Sequence, residues 1–326
     1  MFEAKSGLRK LAAITAITSL ALAIPLASQA AETKYPESVT FLASAFGTDG
    51  KKVDLYGKTE WGVTLESMIQ LKAGGRSLTK QLPAVKNVLS SSLNAIGNKA
   101  APGFLTNADG TLKVGRAGLF LFTSEVLDVP NNTVRAMVFK KLKALINVST
   151  GEITGVASGS IDYAWASLGL NAYDEKSLAN KVVLNLITQQ HTDGGFGSGG
   201  AESSADATGL ALQAISLYKT FGSKDQDALR AAASKKAVAY LRATDVSNNH
   251  WDAYGEASIN STGYAAMGLK AAGAKITAYS EWLKTQLAPT GGFVTSWSAG
   301  LGDVYSTAQG YVALIGLSYL DLIKKN

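Results

Sequence analysis

The chain of 326 residues contains no cysteine and only two histidines, His191 and His250. The first absence excludes disulfides, thiolate zinc sites, iron–sulfur clusters and a thiol nucleophile. The second leaves little material for a multi-histidine metal centre, so no metal and no cofactor is expected. Charged residues are scarce at 17%, and no stretch packs enough Lys or Arg to suggest a nucleic-acid track. Alternating runs of β-forming residues are missing as well, which weighs against a sheet protein. Long apolar runs are confined to the two ends. Residues 1–30 place Lys5, Arg9 and Lys10 ahead of an apolar stretch from Leu11 to Ala27 and close on Ser28-Gln29-Ala30. We read a secretory signal cleaved after Ala30, with an uncleaved anchor as the alternative. The last apolar stretch, from Ala308 to Ile323, is interrupted by Gln309, Ser318 and Asp321 and reads as a buried helix. The expected product is secreted or envelope-held, monomeric, and without a transmembrane segment after cleavage.

What is plentiful is apolar sequence, at 46%, and glycine, with 33 residues. That apolar share provides for a core and argues against disorder. The glycines punctuate a repeat of roughly fifty residues. Small residues at Gly62, Gly118, Ala164, Gly209, Gly263 and Ala308 mark six copies. Gln189 and Gln286 each precede a phenylalanine by seven residues, Phe196 and Phe293, through Gly-Gly, while Thr244 stands seven before Trp251. Phe104 is a related landmark upstream. Ahead of the glycine turn, Val182, Leu186 and Ile187 keep helical apolar spacing, as do Val238 and Leu241. After it, Asp206, Asn260 or Ser306 stands where a helix N-cap is expected. The run that follows, such as Gly209 to Leu217, is apolar or small all round and must be buried on every side. Each copy is therefore an outer amphipathic helix, a glycine-rich turn and an inner buried helix. Six such hairpins fill residues 31–326. An open solenoid needs polar terminal caps, and the nearly all-apolar last helix favours closure into a ring.

The segments Gln189 to Asp193-Gly194-Gly195-Phe196 and Trp282 to Gln286 followed by Gly291-Gly292-Phe293 resemble the Gln/Trp repeat of squalene–hopene-type cyclases. The chain thus resembles the terpenoid-cyclase and protein-prenyltransferase superfamily of (α/α)6 toroids. The segments Ser204 to Ala214 and Asp303 to Ala308 are also similar to the toroid repeats of transcobalamin and intrinsic factor. The resemblance implies an all-α fold, a single (α/α)6 toroid of six helical hairpins. It does not imply a function, since enzymes and binders share this fold. Prenyltransferases hold zinc with Asp, Cys and His, and the cysteine is absent here. Class II cyclases use an Asp-x-Asp-Asp acid, of which Ser204-Ala205-Asp206-Ala207 keeps one position.

Asp206, Asp162 and Asp303 are the candidate acids, with a helix-capping role the competing reading for Asp206. The glycine loop Asp193 to Gly200 lacks a P-loop lysine and a preceding strand; it reads as a tight turn plugged by Phe196. His191 beside Asp193 is a candidate base or a surface histidine at a helix end. Trp61, Tyr163, Trp165, Trp251, Tyr254, Trp297 and Tyr305 lie near inner-helix starts and, with His191, form the candidate ligand-binding set. In a toroid these ends crowd around one mouth, where six helix N-termini present N–H groups and positive partial charge. The mouth is expected to take a mainly apolar or planar small molecule bearing an acidic group, or a cell-surface polymer. The competing reading has the aromatics wedging the hairpins together. Cyclase- or lyase-like catalysis by a lone Asp, and a structural or protein-interaction role at the cell surface, remain the alternatives.

Overall fold

The computed structural model describes residues 33–323, apart from 48–49, 51, 80, 82–102, 130–132 and 157. The signal read at residues 1–30 lies outside the described residues. Eleven α-helices are present among the described residues, in an alternating pattern. Five are outer helices: α1 (Pro36–Ser44), α4 (Thr133–Ala144), α6 (Lys176–Ile187), α8 (Lys224–Thr244) and α10 (Thr277–Thr285). Six are inner: α2 (Trp61–Ala73), α3 (Val114–Val126), α5 (Ser160–Ala172), α7 (Ala205–Ile215), α9 (Ile259–Ala271) and α11 (Val304–Leu314). The outer partner expected for α3 falls in 82–102, outside the described residues.

The inner helices are buried around nearly their whole circumference; in α7 every residue except Asp206 is buried. Their parallel course is visible in the contacts. The third residue of one helix repeatedly meets the second of the helix before it. Asp162 accepts the N–H of Gly115 at 3.0 Å, Ser261 donates to Asp206 at 3.2 Å, and Ser306 donates to Asn260 at 3.0 Å. The ring closes between the last copy and the first. Gln309 Nε2 donates to Glu66 Oε2 at 2.9 Å, the N–H of Val312 to Gln70 Oε1 at 2.7 Å, and the Tyr311 hydroxyl to the Lys34 carbonyl at 2.6 Å. Close approach is made possible by glycine. A Cβ on Gly118 would lie 2.2 Å from the Trp165 carbonyl oxygen, and one on Gly209 2.2 Å from that of Tyr264.

Each loop that enters an inner helix inserts one apolar side chain between outer and inner layers: Val53, Leu105, Ile153, Phe196, Trp251 and Phe293. All six are buried. Four of these plugs donate their backbone N–H to the threonine at the fourth position of the following helix. The pairs are Val53 with Thr64, Phe196 with Thr208, Trp251 with Thr262 and Phe293 with Thr307, at 2.9–3.0 Å. In the fifth, Ile153 donates to the hydroxyl of Tyr163, the same position, at 2.9 Å. The upstream plug is Leu105, buried, rather than its neighbour Phe104. Three loops also close with two- or three-residue antiparallel ladders: β1 (Asp54–Leu55) with β2 (Lys58–Thr59), β3 (Trp251–Ala253) with β4 (Glu256–Ser258), and β5 (Phe293–Val294) with β6 (Gly302–Asp303).

Two expectations about the copies are corrected. The caps are Ser204, Ser258 and Asp303, whose side chains accept from the N–H of Ala207, Ser261 and Ser306. Asp206, Asn260 and Ser306 lie inside the first turn instead. The second concerns register. Gly118, Ala164, Gly209, Gly263 and Ala308 are each the fifth residue of their helix, but Gly62 is the second of α2, where Leu65 holds the equivalent place.

Candidate ligand-binding site

Helical geometry turns residues four apart onto one face. In this ring the second and sixth positions of the inner helices point into the lumen near the N-terminal mouth. They enclose a cavity of about 350 Å³. Its lower wall is a ring of sixth residues: Glu66, Leu119, Trp165, Leu210, Tyr264 and Gln309. Nearer the opening lie Gly62, Ile161, Asp206 and Tyr305 from second positions, with Arg116, Asp162 and Glu60 beside them. Below the cavity the segment after α11 turns back and seals the lumen with Tyr319. This ring is fully buried and packs on Phe122 and Trp165 at 5.6 Å and on Tyr264 at 6.3 Å.

Glu66 is the central polar group. It is buried, and both its oxygens accept: Oε1 from the Tyr264 hydroxyl at 2.5 Å, Oε2 from Gln309. Burial raises its pKa above the usual carboxylate range, opposed by these two hydrogen bonds and by the Arg116 charge. Burial likewise pushes Tyr264 well up, with Glu66 adding to the shift. Asp162 is committed to backbone, accepting from Gly159 at 3.1 Å as well as from Gly115. Asp206 accepts from Ser261 and faces the cavity.

The sequence-derived candidates divide. Trp165, Tyr305, Asp162 and Asp206 meet at the cavity. Asp303 serves as the N-cap of α11 and does not line the cavity. Tyr163 and Trp251 wedge the layers, as the competing reading held: Tyr163 accepts from the plug Ile153, and the Trp251 indole donates to the Leu241 carbonyl at 3.1 Å. Trp61 is half-buried against the core and is not part of the cavity wall. His191 lies on the glycine loop, its Nδ1 2.9 Å from Ser203 Oγ, while that hydroxyl donates to Asp193 at 2.9 Å. The serine thus bridges the two, and the direct His191–Asp193 pair, one of the two readings of this histidine, is not formed. Tyr254 and Trp297 stand on loop tips, 106% and 60% exposed.

The charge of the wall also departs from expectation. Glu60, Glu66, Asp162 and Asp206 face a single guanidinium, Arg116. The partial positive charge of the helix N-termini is therefore answered by the chain's own carboxylates, leaving no excess for an acidic ligand. Glu66, Tyr264, Gln309 and Arg116 escaped the sequence reading. The available signal was a carboxylate and an amide set in helices otherwise apolar all round, which must then face the lumen.

No family model and no curated protein matches this sequence. Solved structures do. A protein from Actinoplanes aligns with a TM-score of 0.62 at 15% identity, covering 86% of this chain and 97% of that one. Haptocorrin in complex with Cbi aligns at 0.56 and 14%, covering 89% and 67%. The type II terpene cyclase MstE from Scytonema aligns at 0.57 and 12%, covering 86% and 96%. At such identities the likeness establishes the fold alone: the chain is an α/α toroid, the fold it shares with the terpene cyclase and with haptocorrin.

Proposed function

We propose that the protein is an exported, non-catalytic binding module that takes a small hydroxyl-rich molecule, neutral or cationic, into the mouth cavity. The observation that carries this reading is the composition of the wall. A cavity of about 350 Å³ pairs carboxylates with the faces of Trp165, Tyr264 and Tyr305 and with Gln309. Carboxylates and amides accept from hydroxyl and ammonium donors, and aromatic faces cover the apolar side of a ring or the charge of a cation. The volume suits a small ligand. Secretion or retention at the envelope follows from the N-terminal signal read at residues 1–30, and a monomer is the expected state.

A second reading, acid catalysis of cyclase or lyase type, has one observation in its favour: Glu66 is a buried carboxyl with a raised pKa beside the cavity. Its two oxygens already accept from Tyr264 and Gln309, which suits an anchor better than a proton donor free to reach a substrate.

A panel of monosaccharides, polyols and quaternary amines, followed by tryptophan emission, separates the readings. Binding predicts a saturable change that disappears in Trp165→Phe and weakens about tenfold in Asp206→Asn, the loss of one charged hydrogen bond. Silence across the panel would reject the binding reading, and conversion of a probe by the wild type but not by Glu66→Gln would establish the enzyme.

A further inference from the structure

The loop tips around the mouth are not alike. In the first copy β1 and β2 are joined by Tyr56-Gly57, and in the fifth β3 and β4 are joined by Tyr254-Gly255. Both tyrosines adopt left-handed backbone, φ 52 and 55, followed by glycines at φ 76 and 84. Two-residue turns of this kind favour Asn, Asp or Gly at the first position; a bulky aromatic is an outlier there. Neither ring repays the strain by packing, since Tyr56 is 91% and Tyr254 fully exposed. In the sixth copy the longer loop between β5 and β6 carries Trp297 and Leu301, also exposed. That copy stands between the fifth and the first, because α11 closes the ring against α2.

Three consecutive copies therefore raise aromatic rings on one arc of the rim. The other arc differs: its tips are Asn107-Ala108-Asp109-Gly110, Thr154-Gly155-Val156, and the glycine loop Gly197 to Gly200. The aromatic arc is continuous with the cavity through Tyr305, which lines the cavity, belongs to the sixth copy and is itself 43% exposed.

We propose that this arc is a stacking platform for a glycan chain whose terminal unit occupies the mouth cavity. The proposal rests on the small-molecule reading and extends it from a single unit to a polymer. Aromatic faces pack against the apolar faces of sugar rings, and successive rings along a chain meet successive platforms. Around the tips the carboxylates Asp54, Glu60, Asp252 and Glu256 outnumber the lysines, Lys52, which pairs with Asp54 at 3.2 Å, and Lys58, so the surface suits neutral or amino-sugar polymers and disfavours anionic ones, including an anionic lipid surface.

Native gel electrophoresis in matrices containing dextran, glycol chitosan or polygalacturonate tests this, using wild type, Tyr56→Asn, Tyr254→Asn, Trp297→Ala and the triple variant. We expect retardation by dextran or glycol chitosan and not by polygalacturonate, with at least a tenfold loss of apparent affinity in the triple variant. The Tyr→Asn variants should melt at or above the wild-type temperature, because Asn tolerates left-handed backbone. Monosaccharide binding read by tryptophan emission should persist in the triple variant and fail in Trp165→Phe, which keeps failure of the cavity separate from failure of the platform. Wild-type retardation by the triple variant, absence of retardation in all three matrices, or tyrosine-dependent binding to phosphatidylserine vesicles would each overturn the proposal.

Discussion

At the scale of single residues, hydroxyls do much of the work that hydrophobic pattern alone does not explain. Thr64, Thr208, Thr262 and Thr307 are fully buried, and each accepts the backbone N–H of a loop plug. Thr208→Val keeps the shape but leaves the Phe196 N–H buried and unpaired; we expect a loss of about 1–3 kcal/mol in denaturant unfolding. Glu66 carries a pH signature. Its pKa is raised in the folded protein, so between the ordinary glutamate value of 4.5 and the folded value the native state holds more protons than the unfolded chain. Stability then falls as pH rises through that interval. Glu66→Gln has no proton to lose. Its melting temperature should track the wild type below pH 4.5 and exceed it increasingly above, as followed by calorimetry across a pH series.

At the scale of elements, helix identity was legible and helix register was not wholly so. The all-round apolar character of 209–217 announces a buried helix, and the structure has α7 at Ala205–Ile215. Choosing Gly62 as the marker of the first copy slides that copy by three residues, since a glycine at the second position looks like one at the fifth. The slip has a functional consequence. Only in the true register does Glu66 fall on the sixth position, opposite Tyr264 and Gln309. The cap assignment failed for a related reason: Ser, Asp and Asn crowd the helix entries, and sequence cannot say which of two candidates turns back on the N–H groups. Glycine at the fifth position has a definite test. In Gly209→Ala the new methyl meets the Tyr264 carbonyl oxygen at 2.2 Å, a clash with backbone rather than with a yielding side chain. We expect a loss of about 3 kcal/mol, the upper end for overpacking, in chemical denaturation.

At the scale of the whole molecule, the lumen is divided into an open mouth and a filled base. Tyr319 makes the division, with its N–H donating to Gln213 Oε1 at 2.9 Å and its ring against Phe122, Trp165 and Tyr264. Tyr319→Ala removes the floor of the cavity. We expect a loss of about 3–5 kcal/mol, by analogy with other large buried aromatics, together with weakened ligand response, because Trp165 and Tyr264 lose their support. Measured by calorimetry and fluorescence on one preparation, the two effects should appear together.

The sequence by itself determined the number of copies, the order of outer and inner helices and the glycine turns, because periodicity and small-residue spacing are local properties that a helix must obey wherever it packs. It also placed Trp165 and Tyr305 among the site candidates by their nearness to helix starts, and Asp162 and Asp206 as candidate acids through the resemblance to catalytic toroids. Only the tertiary structure decided which of those residues share a wall, because that depends on the rotation of each inner helix about its axis. A shift of one residue along a helix turns a side chain by about 100°, enough to move it from lumen to layer. So Tyr163 supports a loop while Trp165, two residues on, faces the cavity. Closure of the ring was favoured by the apolar last helix, but that it sets Glu66 against a glutamine from the far end of the chain is written in no local pattern.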